Sequence, residues 1–126
     1  MYYLSLWNTL LMKISSAKAK GRRLQQWVVE QVLANTNLKD TDVRSTAMGQ
    51  SGLDVQLSEA ARKLFPFAVE CKSQERFKGL YEVYSQSETN KEGMTPIVVI
   101  KSNRQIPLVV ISADDFFKIV FKKKEK

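Results

Sequence analysis

Apolar residues at Leu24, Trp27, Val28, Val32 and Leu33 recur at helical intervals, so the stretch from Ser16 to Ala34 reads as an amphipathic helix with one packed face. Asn35, Asn37, Asp40 and Asp42 mark the loop that follows it. Beyond that loop, DVRSTAMGQSG predicts a short strand running into a Gly-containing turn, and LDVQL predicts a second strand. SEAARKL predicts a turn with local helical character ahead of Pro66. In FPFAVECK the period changes to two: Phe65, Phe67, Val69 and Cys71 share one face, and Ala68, Glu70 and Lys72 the other. Phe77, Leu80, Tyr81 and Tyr84 return to helical spacing within SQERFKGLYEVYSQSET and predict a second main helix there despite Gly79. TPIVVIKS and IPLVVIS, separated by a polar NRQ turn, are β-branched runs suited to central strands. Ser112 reads as the N-cap of a last helix over ADDFFKIVF, with Asp114 and Asp115 in the turn where the helix dipole favours negative charge.

The order is helix, three strands, helix, two strands, helix, which predicts an α/β domain with one mixed sheet of about five strands flanked by helices. Residues 1–15 read as an N-terminal extension, 16–121 as the domain and 122–126 as a basic tail. No repeat and no Pro/Gly/Ser-rich linker divides the chain. MYYLSLWNTLLM is apolar, but it is shorter than the roughly 20 residues a membrane span needs and is broken by Ser5, Asn8 and Thr9. Its lysines follow the apolar stretch instead of preceding it, the reverse of a signal peptide. Cytoplasmic residence without membrane contact is therefore expected, and Met12 offers an alternative start.

A length of 126 residues suits a single domain, and 44% hydrophobic with 26% charged residues suits a globular one. The 20 Lys and Arg outnumber the 13 Asp and Glu, giving a net charge of +7 that favours a polyanionic partner, nucleic acid above all. With no His and one Cys, the chain cannot build a zinc finger, a Ser/His/Asp triad or a Cys/His pair. Its remaining chemistry is carboxylate, Lys, Arg, Tyr, Ser and Gln, which suits an oxygen-bound cation such as Mg²⁺.

Fifteen residues separate Asp54 from Glu70. If the second and third strands lie side by side, these carboxylates meet, and their proximity is costly unless a cation compensates it. Asp54, Glu70 and the backbone carbonyl of Cys71 would then form part of a Mg²⁺ shell, with Lys72 placed to steady developing charge on a phosphate. The plainer alternative is an exposed Glu70–Lys72 ion pair worth about 0–1 kcal/mol beside an Asp54 that merely shapes a turn.

In this setting the arrangement Asp54, then Glu70-Cys71-Lys72, resembles the PD-(D/E)XK nuclease superfamily. AKGRRLQQWV, DVRSTAMGQSGLDVQLS, ARKLFPFAVECKSQE and TPIVVIKSNR look like phage-encoded endonucleases of that group related to Holliday junction resolvases, over about residues 17–120. The resemblance implies a restriction-endonuclease-like fold and a Mg²⁺-dependent DNA endonuclease, with Mn²⁺ as a substitute metal. Asp54 and Glu70 would be its metal-binding acids and Lys72 its catalytic lysine. Leu53 stands where the family usually has Pro. Gln25, after Lys20-Gly21, takes the place of a helix Glu found in many relatives, with Glu30 a distant substitute, and Gln86 matches a supporting Gln on the second helix. Either Gln86 supports the site or it is a solvated helix residue.

Lys18, Lys20, Arg22 and Arg23 form a basic cluster for phosphate contact, joined by Arg44 and Ser45 near the acidic strand and by Lys101 and Arg104 in the later turn. Trp27, Phe77, Tyr81 and Tyr84 fall on apolar stripes and are expected in the core instead of stacking on bases. The leading expectation is cleavage of branched DNA by a homodimer, since two symmetric incisions need two sites. Homing-type or nicking cleavage of duplex DNA, a non-catalytic DNA-binding module on the same fold, and a structural protein with an incidental basic surface are the alternatives.

Overall fold

The computed structural model describes residues 2–47, 50 and 52–122, with side chains from Ser16 onward. Most of the expected basic tail lies outside those residues. The helix α1 spans Tyr2–Ala34, running through the expected boundary at residue 15 without a break. Its buried residues Leu24, Val28, Val29 and Val32 repeat every three to four positions, so one stripe of the helix closes the core.

Strands β1 (Val43–Ser45) and β2 (Val55–Leu57) pair antiparallel, Arg44 opposite Gln56. The short helix α2 (Glu59–Leu64) follows and is capped by Ser58, whose hydroxyl accepts from Ala61 N–H at 3.1 Å. The same hydroxyl donates to Asp42 at 2.7 Å, tying the start of α2 to the entry of β1. β3 (Phe67–Gln74) then runs parallel to β4 (Thr95–Ser102), with α3 (Leu80–Thr89) as the crossover between them. β5 (Leu108–Val110) pairs antiparallel on the far side of β4, and α4 (Ala113–Val120) ends the domain with Ser112 as its cap.

The mixed α/β class stands, but SEAARKL forms a helix of its own, α2, beyond the three expected, and the strands form a two-stranded sheet, β1-β2, and a three-stranded sheet, β3-β4-β5. This corrects the single five-stranded sheet. β2 is three residues long, and the chain before it turns through Gly52, whose φ of +104° is a left-handed conformation that favours glycine. The ladder therefore cannot propagate along β3. What crosses the gap is the bond from Asp54 N–H to Val69 C=O at 3.3 Å.

Alternation in β3 follows the sequence pattern. Val69 and Cys71 pack toward α1 in the cluster that holds Leu24, Val28, Val43, Val55, Ile97 and Val99. Fully burying a Val or Leu side chain contributes roughly 1.5–3 kcal/mol, so this cluster is the main fixture of the fold. Three expectations change. The second main helix begins only at Leu80, because Gly79 (φ 66°) caps it from the left-handed region and leaves Phe77 in the preceding turn. Of the two runs expected to be central, β4 is buried, whereas β5 is an edge strand with Leu108 and Val109 more than half exposed. The predicted core aromatics fail at Tyr81, which is 90% exposed, and at Trp27, 39% exposed.

Candidate functional site

Asp54 sits at the joint between the two sheets, and its backbone is held from both sides. Its carbonyl accepts from Thr46 N–H at 2.9 Å, and the buried Thr46 hydroxyl donates to the neighbouring Leu53 carbonyl. Its side chain accepts from Cys71 N–H at 2.7 Å across the free edge of β3. In an extended strand the N–H and C=O of one residue point to the same edge, so the Cys71 carbonyl also looks toward Asp54.

Glu70 projects from the opposite face of β3 to Cys71, beside α3. Burial, then the charge of Asp54, then a proton shared with Asp54 push its carboxyl up to about 7; the charge of Lys72 and a hydrogen bond from Asn90 act against this rise without cancelling it. Two carboxyl groups in contact at neutral pH thus hold a proton where a cation would otherwise sit. Lys72 is half-buried on the same face as Glu70. The two ion pairs formed among the described residues are Arg62–Glu92 and Lys118–Asp114, so the plain Glu70–Lys72 ion pair is not formed.

The structure therefore brings Asp54, Glu70, the Cys71 backbone and Lys72 together, as the spacing predicts. It does not do so for every expected helper. Gln86 is exposed on α3, and Asn90, one helical turn later at the C-cap of that helix, bonds Glu70 instead. Asn90 lies on the same stripe as Gln86 at i+4, which is the signal that sequence reading passed over. Gln25 is buried at 8% exposure on the sheet-facing side of α1, whereas Glu30 is exposed and joins no site. Thr46, which follows Arg44 and Ser45 in the stretch expected to contact a phosphate, is instead the buried anchor of the Asp54 segment. Burial raises the Cys71 thiol well above its ordinary range, so its side chain stays neutral and inert.

No group of three or more His, Cys, Asp or Glu suited to a metal is found among the described residues. The donors present, two carboxylates and a backbone carbonyl, are all hard oxygens and form a partial shell that fits Mg²⁺, which keeps water and substrate oxygens in its remaining positions.

The basic candidates divide into two groups. Lys20, Arg23, Lys101 and Arg104 converge on a cleft of about 610 Å³ that Trp27, Ser73, Asn103 and Pro107 also line. Lys20 reaches across it to donate to Asn103 at 2.9 Å. Lys18, Arg22, Arg44 and Ser45 are exposed and lie outside that cleft. No helix among the described residues is long and apolar enough to cross a membrane. Comparison with protein-family models, with curated proteins and with solved structures gives no match, so the geometry stands on its own.

Proposed function

We propose that the chain is a Mg²⁺-dependent DNA endonuclease with a PD-(D/E)XK site on a restriction-endonuclease-like fold, selective for branched DNA. The observation that carries this reading is the contact of Asp54 with Glu70 beside Lys72, at a sheet joint where carboxylate repulsion has no structural use. Asp54, Glu70 and the Cys71 carbonyl would hold the cation. When bound, Mg²⁺ supplies Lewis-acid neutralisation of the scissile phosphate. Lys72 binds and orients the phosphate and steadies charge that develops on it. Asn90 holds the Glu70 carboxylate, and Thr46 holds the backbone that presents Asp54. Lys20, Arg23, Lys101 and Arg104 supply the sequence-independent attraction to the phosphate backbone.

The active unit on this reading is a cytoplasmic homodimer. α4 buries none of its residues, and Phe116, Phe117, Ile119 and Val120 lie 44–55% exposed beside an open β5 edge. With Phe121, 70% exposed, they offer apolar surface on the order of several hundred Å², the scale of one partner's share of a stable interface. An isologous contact with a second copy would cover it.

The test is cleavage of labelled four-way junction and linear duplex with Mg²⁺, Mn²⁺ or EDTA, by wild type, Glu70→Ala and Lys72→Ala. Metal-dependent cutting of the junction, lost in both variants, is expected. Preferred cutting of linear duplex would shift the reading to a homing-type or nicking enzyme. DNA binding indifferent to metal with no cutting would leave the non-catalytic module, which the Gln25 position favours.

A further inference from the structure

We propose that the cleft between α1 and the β4–β5 turn seats an unpaired nucleotide, with phosphates on Lys20, Arg23, Lys101 and Arg104 and a base against Trp27. The proposal rests on the nucleic-acid reading above and assigns to Trp27 a role that its place on an apolar helical stripe conceals.

Lys20, Arg23 and Trp27 follow one another at i, i+3 and i+7 on α1, so one stripe of the helix carries two cations and an indole. Lys101 comes from the end of β4, paired in register with Ser73 of β3, and Arg104 from the turn beyond. No carboxylate lines this cleft, and neither ion pair among the described residues uses its four cations. A cleft of about 610 Å³ falls in the size range of small-ligand sites and is far too small to admit a duplex. Trp27 lines this cleft and is 39% exposed overall, and a base stacked on an aromatic ring needs no sequence readout.

Two details show a built cleft instead of a loose basic surface. The bond from Lys20 to Asn103 at 2.9 Å ties α1 to the turn and sets the width between the walls. Arg104 holds a φ of +63°, a left-handed backbone that a residue with a side chain adopts at a cost and that Gly would adopt freely. Glu70 and Ser73 stand three positions apart on β3, roughly 10 Å along the strand and on opposite faces. A single strand leaving the acidic pair therefore reaches the cleft within a few nucleotides.

The test is fluorescence anisotropy of a labelled oligo-dT of about ten nucleotides in EDTA, at several salt concentrations, with an abasic oligomer and a blunt duplex of equal length alongside. Trp27→Ala should weaken oligo-dT binding by about 5- to 100-fold while changing affinity for the abasic strand and the duplex by less than about twofold, and Trp27→Phe should keep most of the affinity. Arg104→Gly should raise the melting temperature yet bind oligo-dT more weakly, with a salt slope smaller by about 0.7, a loss that misfolding cannot explain. Equal loss on base-bearing and abasic strands, equal loss on duplex, or unchanged affinity in Arg104→Gly would each overturn the proposal. If no metal supports cutting while these binding results hold, the endonuclease reading fails and the nucleotide seat survives.

Discussion

Replacing Glu70 by Gln should make the metal-free protein more stable at alkaline pH, because it removes a carboxylate repulsion that the fold otherwise tolerates. The Glu70 carboxyl rises from 4.5 to about 7, chiefly through burial and the neighbouring charge of Asp54. Between those two values the folded chain binds more protons than the unfolded one, so stability falls as pH rises through the window and levels off above it. A shift of that size corresponds to about 3 kcal/mol at 1.36 kcal/mol per unit. Glu70 is only partly buried, and halving the figure for solvent screening leaves about 1.5 kcal/mol. Gln keeps the shape, can donate to Asp54 and can still accept from Asn90. Urea unfolding in EDTA should therefore show Glu70→Gln more stable than wild type by about 1.5 kcal/mol at pH 8, and no more stable at pH 4. Added Mg²⁺ should stabilise wild type and leave the variant unmoved. A variant equal to wild type at pH 8, or one with the same advantage at pH 4, would refute the reasoning.

Because Glu70 must lose its proton to bind a cation, Mn²⁺ affinity should rise by up to about tenfold per pH unit from 5 to 7 and flatten above, with about one proton released per metal at pH 6 by calorimetry in paired buffers. Ser58→Ala loses both the cap of α2 and a partner of Asp42, and should cost about 1–2 kcal/mol in denaturant unfolding. Phe117→Glu should leave the fold intact, since Phe117 is 55% exposed, but shift the particle from dimer to monomer by light scattering. An unchanged mass would show that α4 serves some other contact. Thr46→Val should cut activity more than stability, because it keeps the buried volume while freeing the Leu53 carbonyl beside Asp54.

The parts of the fold that sequence revealed are those with strong local periods. Alternation from Phe65 to Lys72 placed Val69 and Cys71 inward and Glu70 and Lys72 together, and the acidic pair needed in addition the adjacency of the second and third strands. Long-range relations carry no such period. Asn90 meets Glu70 only because the crossover helix returns its C-cap over β3, and the i+4 spacing from Gln86 is its one trace in the sequence. Leu108 and Val109 read as interior because an apolar, β-branched run has the same pattern whether neighbouring elements cover it or leave it at a sheet edge. Trp27 misled for a related reason: it continues the stripe of Leu24 and Val28, but periodicity does not say where the covering sheet stops. The split of the sheet at Asp54 was equally hidden, since it depends on a turn at Gly52 that limits pairing instead of preventing it.

A polyanion-binding protein that also needs a cation faces an electrostatic conflict, since positive side chains gathered for the phosphates would displace the metal from its carboxylates. The placement of charges here resolves it. Among the charges acting on Glu70 are Asp54 and Lys72, and none of the cleft residues Lys20, Arg23, Lys101 or Arg104. Lys101 pairs in register with Ser73, roughly 10 Å along β3 from Glu70, a distance comparable with the Debye length of about 8 Å at physiological salt. On the proposed reading the carboxylates thus keep the negative potential that would attract a cation, while the cleft keeps the positive potential that would attract a strand. Lys72, the one cation close enough to lower the Glu70 carboxyl, is also the one assigned to the phosphate, so substrate binding would draw its charge away from Glu70 at the moment the cation must be held.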